Sequence, residues 1–254
     1  MPSLFRPPNG STTTAYRPPA HRRDRSPGHG SDSGAWGRRA AAPKAAEQPA
    51  AQASNTTIGI ATEDDAEDDA LVATLTGIVN RVYFDTENDI FVDGTKRTDE
   101  QEVRSIIQAG ELAVLCLLPP PPASPGYQTQ QQDQHQQQRK AIGCIRIRHI
   151  SDGVGELGMM AIDPSQQGSG QGSALVRFAE EHIRKTLGLS VSRLELLVPS
   201  GFQHAFKARL QAWYDRLGYR MVRLGVFQDE YPKMAPLLRG PTEYRVFEKT
   251  LVAA

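Results

Sequence analysis

The 254-residue sequence has few cysteines, no long apolar run and no excess of either charge. Its two cysteines, Cys116 and Cys144, are too few for a disulfide framework or a four-ligand zinc site. No run of about 18 apolar residues is present, which argues against a membrane-spanning helix. Lys and Arg total 29, as do Asp and Glu, so a formal net charge of zero gives no overall attraction to nucleic acid.

Residues 1–54 are also almost without bulky apolar side chains, and they have eight basic against three acidic residues. A basic, Ser-rich, acid-poor start could be a mitochondrial transit peptide. Such a peptide needs an amphipathic helix, and five prolines interrupt one here: Pro7, Pro8, Pro18, Pro19 and Pro27. We therefore expect a disordered basic tail and a cytoplasmic protein, since no apolar signal-peptide core follows Met1 either.

A second stretch, residues 119–138, reads PPPPASPGYQTQQQDQHQQQ and cannot bury apolar surface. We interpret it as a disordered insertion in the domain that occupies residues 55–254. Without these two segments 180 residues remain, which suits one domain with a sizeable core.

Two helices are predicted near the start of this domain by their capping residues. Thr62 has an acid three places on and precedes apolar residues at helical spacing, and Thr98 similarly precedes Gln101 in a second capping box. The acidic residues 63–69 are interpreted as a helix start, where the helix dipole favours negative charge. The alternative is a patch that binds a cationic substrate. Gly110 is predicted to end the second helix.

Periodicity predicts the remaining elements, and the order is β-α-α-β-β-β-α-β-α-β-β. The pattern indicates an α/β (α+β) domain with a mixed sheet of seven strands and four helices. The strands are predicted at 57–61, 111–118, 141–150, 156–163, 193–198, 220–227 and 244–251, and the two later helices at 173–187 and 204–217.

The segment Asp163–Ser173 (DPSQQGSGQGS) lies between an apolar strand and an amphipathic helix. Glycines allow close approach of the backbone to a ligand, and the free N–H groups at a helix start suit an anion such as phosphate. A Walker A loop needs Lys after its last glycine, but Gly172 is followed by Ser173, which also breaks a G-x-G-x-x-G dinucleotide pattern. A third pattern, Q/R-x-x-G-x-G/A, is matched by Gln167, Gly170 and Gly172.

With this third pattern the sequence resembles the GNAT superfamily of acyl-CoA-dependent N-acetyltransferases over residues 56–252. The resemblance depends on residues 167–172 (QGSGQG) after 161–164 (AIDP), and on residues 213–219 (WYDRLGY), which are similar to the family's Y-x-x-x-G-[FY]. Residues 197–199, 213–214 and 231–232 resemble a fungal branch. One departure is Pro199-Ser200-Gly201, where many members carry Asn. The resemblance implies a mostly antiparallel sheet of about seven strands, flanked by about four helices, with two strands splayed into a cleft for acyl-CoA.

The resemblance also implies the cofactor site, for acetyl-CoA and without a metal. Backbone N–H groups of the glycine loop would bind the CoA pyrophosphate, and the end of the preceding strand would pair with the pantetheine arm. The predicted cofactor-binding residues are Met160, Ala161, Ile162, Gln167, Gly168, Ser169, Gly170, Gln171, Gly172 and Ser173.

Acetyl transfer from a thioester needs a base for the amine and a proton for the leaving thiolate. Tyr214 matches the family's general acid, and its alternative role is that of a core aromatic. Glu156 has the offset of the glutamate base in the histone-acetyltransferase branch, and its alternative is an exposed strand-edge residue. Glu195, on the adjacent predicted strand, is the second candidate base. A backbone N–H near Met160 is a plausible oxyanion donor.

The predicted function is acetyl transfer from acetyl-CoA to a primary amine of a small molecule, by direct attack in a ternary complex. One alternative is a protein N-terminal or lysine acetyltransferase. Another, from a different class, is a non-catalytic CoA-binding regulatory module. No nucleic-acid or membrane partner is expected.

Overall fold

The computed structural model describes residues 55–118 and 139–252. The tail predicted at 1–54 and the insertion predicted at 119–138 lie outside the described residues, so both remain predictions. All seven predicted strands are present within the described ranges.

The strands form one mixed sheet with the order β1-β2-β3-β4-β5-β7-β6. Only β4 and β5 are parallel neighbours, and the other neighbours are antiparallel. This confirms the predicted mostly antiparallel sheet. The strands are β1 (Thr56–Ile60), β2 (Leu112–Leu117), β3 (Lys140–Ser151), β4 (Val154–Ile162), β5 (Val191–Pro199), β6 (Arg220–Gly225) and β7 (Thr242–Thr250).

Six α-helices are present in the described part of the chain, two more than predicted. None of these helices is long and apolar enough to cross a bilayer. They are α1 (Glu63–Glu67), α2 (Asp69–Glu87), α3 (Glu100–Gln108), α4 (Gln171–Lys185), α5 (Ala205–Arg216) and α6 (Phe227–Glu230), and there are 3₁₀ turns at Pro164–Gln166 and Ala235–Leu237.

The helix predicted after Thr62 is divided in two by a second cap. Thr62 forms the predicted capping box with Asp65, but Asp68 has extended backbone geometry and its carboxylate accepts from the amides of Ala70 and Leu71 at 3.0 Å. A side chain that caps a helix in this way satisfies amides that would otherwise lack a partner. The acidic run therefore contains two helix starts.

The second predicted capping box is displaced by one residue. Asp99, not Thr98, caps α3, because its carboxylate accepts from the Glu102 amide at 2.8 Å. The Thr98 hydroxyl instead donates to the Glu102 carboxylate at 3.0 Å. Gly110, with φ of +68°, follows the end of α3 as predicted.

Helices cover both faces of the sheet, and the side chains of each strand alternate between them. Residues such as Leu112, Val114 and Cys144 pack against α1, α2 and α3, whereas Leu115, Ile145 and others pack against α4 and α5. Both cysteines are free and buried, and burial raises the pKa of the Cys144 thiol to about 12.

The parallel strands β4 and β5 are paired over only part of their length. Their register runs from Val154 opposite Val191 to Leu157 opposite Leu194 and stops there, although both strands continue for several residues. The sheet is therefore open between the ends of β4 and β5. This opening is the splay that the resemblance implied.

A β-bulge lies on β4 at the same place. Arg146 pairs with Gly158 and Cys144 with Ala161, so β4 has one residue more than β3 across this interval. Met159 takes up the extra length with φ of +45°, an uncommon conformation for a residue with a long side chain. The bulge shifts the alternation of β4, so that Leu157 and Ile162 both pack on the α4 and α5 side.

Candidate active site

A cavity of about 340 Å³ occupies the opening between β4 and β5. It has two ends, which lie on opposite faces of the sheet. The loop end, on the α4 and α5 side, is lined by Met160, Ile162, Gln167, Gly168, Gly172, Leu210, Trp213 and Tyr214. The carboxylate end, on the α2 side, is lined by Tyr83, Glu87, Arg97, Arg146, Arg148, Glu156, Glu195, Tyr231 and Tyr244.

The glycine loop holds backbone amides at the N-terminus of α4. Gly170 is the N-cap with φ of +86°, and Gly168 has φ of +80°. A Cβ added at either position would have no atom within 4 Å, so the outer side of the loop is open space. The Gln167 side-chain amide donates to the Ile162 carbonyl at 3.0 Å and fixes the loop to the end of β4. This arrangement suits an anion bound by N–H groups and the helix dipole.

The predicted cofactor-binding residues divide into two sets. Met160, Ile162, Gln167, Gly168 and Gly172 line the cavity. The others lie beside it: Ala161 is buried against the α2 side, the Gln171 side chain is 5% exposed, and Ser169, Gly170 and Ser173 belong to the rim of the loop and the first turn of α4. Their predicted contribution through backbone amides stays a prediction.

Tyr214 reaches the opening from α5 and is buried. Its ring packs against Trp213, Tyr219 and Phe247 at centroid distances of 5.4, 6.3 and 5.9 Å. It also lines the cavity. Burial, with smaller effects from Tyr83 and Glu87, raises the pKa of its hydroxyl well above the usual value. The two roles weighed for Tyr214 are therefore compatible, because the ring packs while the neutral hydroxyl is available as a proton donor.

Glu156 is 7% exposed, so the alternative of an exposed strand-edge residue is wrong. Its carboxylate accepts a hydrogen bond from the Arg148 guanidinium at 2.7 Å, directly across the β3–β4 ladder. Burial alone would lower the pKa of Arg148, but the charge and hydrogen bond of Glu156 outweigh burial and raise it. The ion pair with the guanidinium fixes the orientation of the Glu156 carboxylate.

Glu195 is the first residue of β5 beyond the segment that pairs with β4, and its side chain faces the α2 side. Its carboxylate accepts a hydrogen bond from the Tyr231 hydroxyl at 2.7 Å. The pKa of Tyr231 is raised by burial and then by the negative charges of Glu195 and Glu156. Both candidate bases therefore lie near one hydroxyl at the carboxylate end.

Two chain segments are joined by backbone hydrogen bonds beside the carboxylate end, and they line the cavity through Phe91, Phe227 and Tyr231. Phe91 forms a β-bridge with Leu238, the Val92 amide donates to the Leu237 carbonyl at 2.8 Å, and the Arg239 amide donates to the Ile90 carbonyl at 2.9 Å. We call these segments, residues 88–93 and 226–239, the cross-wall. Near it, Lys207 of α5 donates to Glu87 of α2 at 2.5 Å.

Several residues of the carboxylate end had not been singled out from the sequence. Arg148 had a signal, because a charged residue among the apolar residues of β3 is unusual for a buried strand. No sequence pattern indicated that Tyr231 or Arg97 would lie in this site, because both residues belong to connections whose positions depend on tertiary packing. His204 is the N-cap of α5, and its Nε2 lies 3.2 Å from the Asp89 carboxylate.

With this geometry in place, the chain can be compared with known proteins. Residues 133–221 match the model of the acetyltransferase (GNAT) domain. This matched part of the chain contains the glycine loop and Tyr214 and is similar to GNAT acetyltransferase domains. The resemblance to a fungal branch stays a prediction. No curated protein sequence matches the chain.

The first of three similar solved structures supports the fold. An aminoglycoside 6'-N-acetyltransferase complexed with coenzyme A has 13% identity and a TM-score of 0.51, and the match covers 78% of this chain and 98% of that one. An acetyltransferase of the GNAT family from Streptococcus pneumoniae has 16% identity and a TM-score of 0.49, over 77% of this chain and 99% of that one. A putative N-acetyltransferase from Lactobacillus plantarum has 18% identity and a TM-score of 0.47, over 78% and 99%.

Proposed function

We propose that this protein is a GNAT acetyltransferase that moves an acetyl group from acetyl-CoA to a primary amine of a small molecule, by direct attack in a ternary complex. The observation that carries the proposal is the opening between β4 and β5, with a glycine loop on one face and two carboxylates on the other. Two substrates that enter from opposite faces meet in the plane of the sheet.

Acetyl-CoA is assigned to the loop end. The amides at the start of α4 and the open space outside Gly168 and Gly170 suit a pyrophosphate. The strand end at Met160–Ile162 is free of β5 and can offer backbone groups to the pantetheine amides. The aminoglycoside acetyltransferase with the similar fold is a complex with coenzyme A, which supports the assignment.

The amine is assigned to the carboxylate end, where it must lose a proton before it attacks. Holding an alkyl amine of pKa near 10.4 neutral at pH 7 costs about 4–5 kcal/mol without help. Glu156 is the proposed base, directly or through water, and Glu195 is the alternative. Both are within the cavity lining, as a base for this reaction must be.

The remaining chemistry is assigned to Tyr214 and to the bulge. The neutral Tyr214 hydroxyl can protonate the leaving thiolate. The bulge at Met159 removes Met159 and Met160 from the pairing register with β3, so a backbone N–H there is available for the developing oxyanion.

The cross-wall favours a small acceptor over a polypeptide. An extended peptide needs a continuous groove, whereas the two hydrogen-bonded segments 88–93 and 226–239 border the carboxylate end and restrict the space beside it. The rival proposal is therefore a protein N-terminal or lysine acetyltransferase whose substrate would have to open the cross-wall.

A screen for CoA release tests these proposals together. Acetyl-CoA is incubated with the full-length protein and with small amines, peptides with free N-termini or lysine-containing peptides. Turnover of small amines that is lost in Tyr214→Phe supports the proposal. Turnover of peptides alone supports the rival. Tight binding of acetyl-CoA without turnover of any amine would make a non-catalytic CoA-binding module the better description.

A further inference from the structure

The carboxylate end contains three arginines and borders Lys207, and three of these four cations are held by carboxylates. Arg146 donates to Glu111 through two nitrogens at 2.6 and 2.8 Å, Arg148 pairs with Glu156, and Lys207 pairs with Glu87. Among the described residues, the fourth cation of this end has no carboxylate oxygen within 4.0 Å. That cation is Arg97.

Arg97 is nevertheless fixed in position. Its guanidinium carbon lies 4.9 Å from the centre of the Tyr83 ring, and its backbone amide donates to the Asn80 side chain at 2.8 Å. The contact with the ring stabilises the positive charge. A guanidinium has five N–H donors in a planar fork, so contact with one tyrosine leaves donors for a ligand.

The two carboxylates that most influence Arg97, besides Tyr83, are already engaged. Glu87 accepts from Lys207 at 2.5 Å, and Glu102 accepts from the Thr98 hydroxyl at 3.0 Å. Arg97 lines the same end of the cavity as the candidate bases Glu156 and Glu195. The pKa of the Tyr231 hydroxyl is raised by the two carboxylates and lowered by Arg97, which agrees with this placement.

The geometry points to an acceptor that carries a carboxylate as well as its amine, with Arg97 as the residue that binds the carboxylate. This inference rests on the proposed function and names the substrate class for the same site. The amine is directed to Glu156 or Glu195, and the carboxylate to the guanidinium, whose fork matches the two oxygens of a carboxylate. An amine that lacks the carboxylate leaves the half-buried Arg97 guanidinium beside Tyr83 with no directly bound carboxylate among the described residues.

Matched acceptors test the inference on the wild-type protein. Glycine, β-alanine, 4-aminobutyrate and the proteinogenic amino acids are each compared with the corresponding amide and with the amine that lacks the carboxyl group. We expect kcat/KM for at least one acid to exceed that of its amide by about 30-fold or more, the scale of a hydrogen bond to a charged group. Equal turnover of acids and amides would overturn the inference while leaving the proposed function in place. No turnover of any amine would overturn both.

Variants then assign the effect to Arg97. Arg97→Gln should raise KM for the acid about 30- to 100-fold and abolish the preference of the enzyme for the acid over the amide, with KM for acetyl-CoA little changed, and Arg97→Lys should retain part of the preference. Arg104→Gln, at a partly exposed arginine of α3 that pairs with Asp69, is the matched control. An equal loss for acid and amide would give Arg97 a structural role and overturn the assignment. If Arg97→Gln does not fold, the wild-type comparison of acids with amides still decides.

Discussion

At the loop end of the cleft, one stretch of chain between Met160 and Gly172 supplies most of the surface, largely through backbone groups. At the carboxylate end, the groups are side chains from α2, the connection before α3, strands β3, β4 and β5, and the cross-wall. A backbone site changes its ligand only when the chain path changes. A side-chain site changes its ligand with single substitutions. We therefore expect variants at the carboxylate end to alter acceptor use, and glycine-loop variants to alter affinity for acetyl-CoA.

The largest effect is expected for the base. If Glu156 accepts the amine proton, Glu156→Gln should lower kcat/KM by about 10²- to 10⁴-fold, with recovery at high pH where the amine deprotonates unaided. Glu195→Gln is the matched variant on the other strand, measured over the same pH range. Should only Glu195→Gln give the loss with recovery, Glu195 is the base.

Tyr214 contributes a side chain to the loop end, so it tests how far that end depends on backbone alone. Tyr214→Phe keeps the ring packing and removes the hydroxyl, and we expect kcat to fall by about 10²-fold with little change in KM for acetyl-CoA. Tyr219→Phe is the control, because its hydroxyl is bonded to Ser192 at 2.7 Å in the core. Full activity of Tyr214→Phe would make Tyr214 a packing residue.

The glycine loop itself is tested by a charge and a side chain together. Gly170→Glu should weaken binding of acetyl-CoA by about 10-fold or more in a calorimetric titration, since a carboxylate beside the pyrophosphate is repelled and the backbone has φ of +86°. Gly188→Glu is the control, with φ of +68°, open surroundings and a position beyond the other end of α4. Equal affinities of the two variants would move the cofactor site elsewhere.

The smallest expected effect is the pH dependence of the proton donor. Because burial raises the pKa of Tyr214, its hydroxyl stays protonated as the pH rises, and kcat should change less than about twofold between pH 8 and pH 10. The measurement is kcat at saturating acceptor over this range. A fall in kcat near pH 9 that disappears in Tyr214→Phe would contradict a buried, neutral donor.

The sequence permitted prediction of the loop end more fully than of the carboxylate end, and the physical reason is locality. Glycine spacing, the following helix and the motif around Tyr214 are short-range patterns that determine local backbone conformation. The pairing of Arg148 with Glu156 depends on the β3–β4 register, and the position of Arg97 depends on how a connection packs on Tyr83. Neither is encoded within a few residues. The division between α1 and α2 is a different case. Asp68 is a local cap, but the sequence did not identify it because several neighbouring acidic residues could also have capped a helix.

The bulge at Met159 has a consequence for how β4 tolerates changes of length. On an unbulged strand, the side chains of Leu157 and Ile162 would point to opposite faces, because five positions separate them. One extra residue brings both side chains to the α4 and α5 side. The residues of β4 therefore face the appropriate sides of the sheet only when the strand has its present number of residues. Deleting one residue there would preserve the apolar character of the strand and yet exchange its two faces from the deletion onward. We therefore expect β4 to tolerate substitutions at the bulge but not the insertion or deletion of a single residue.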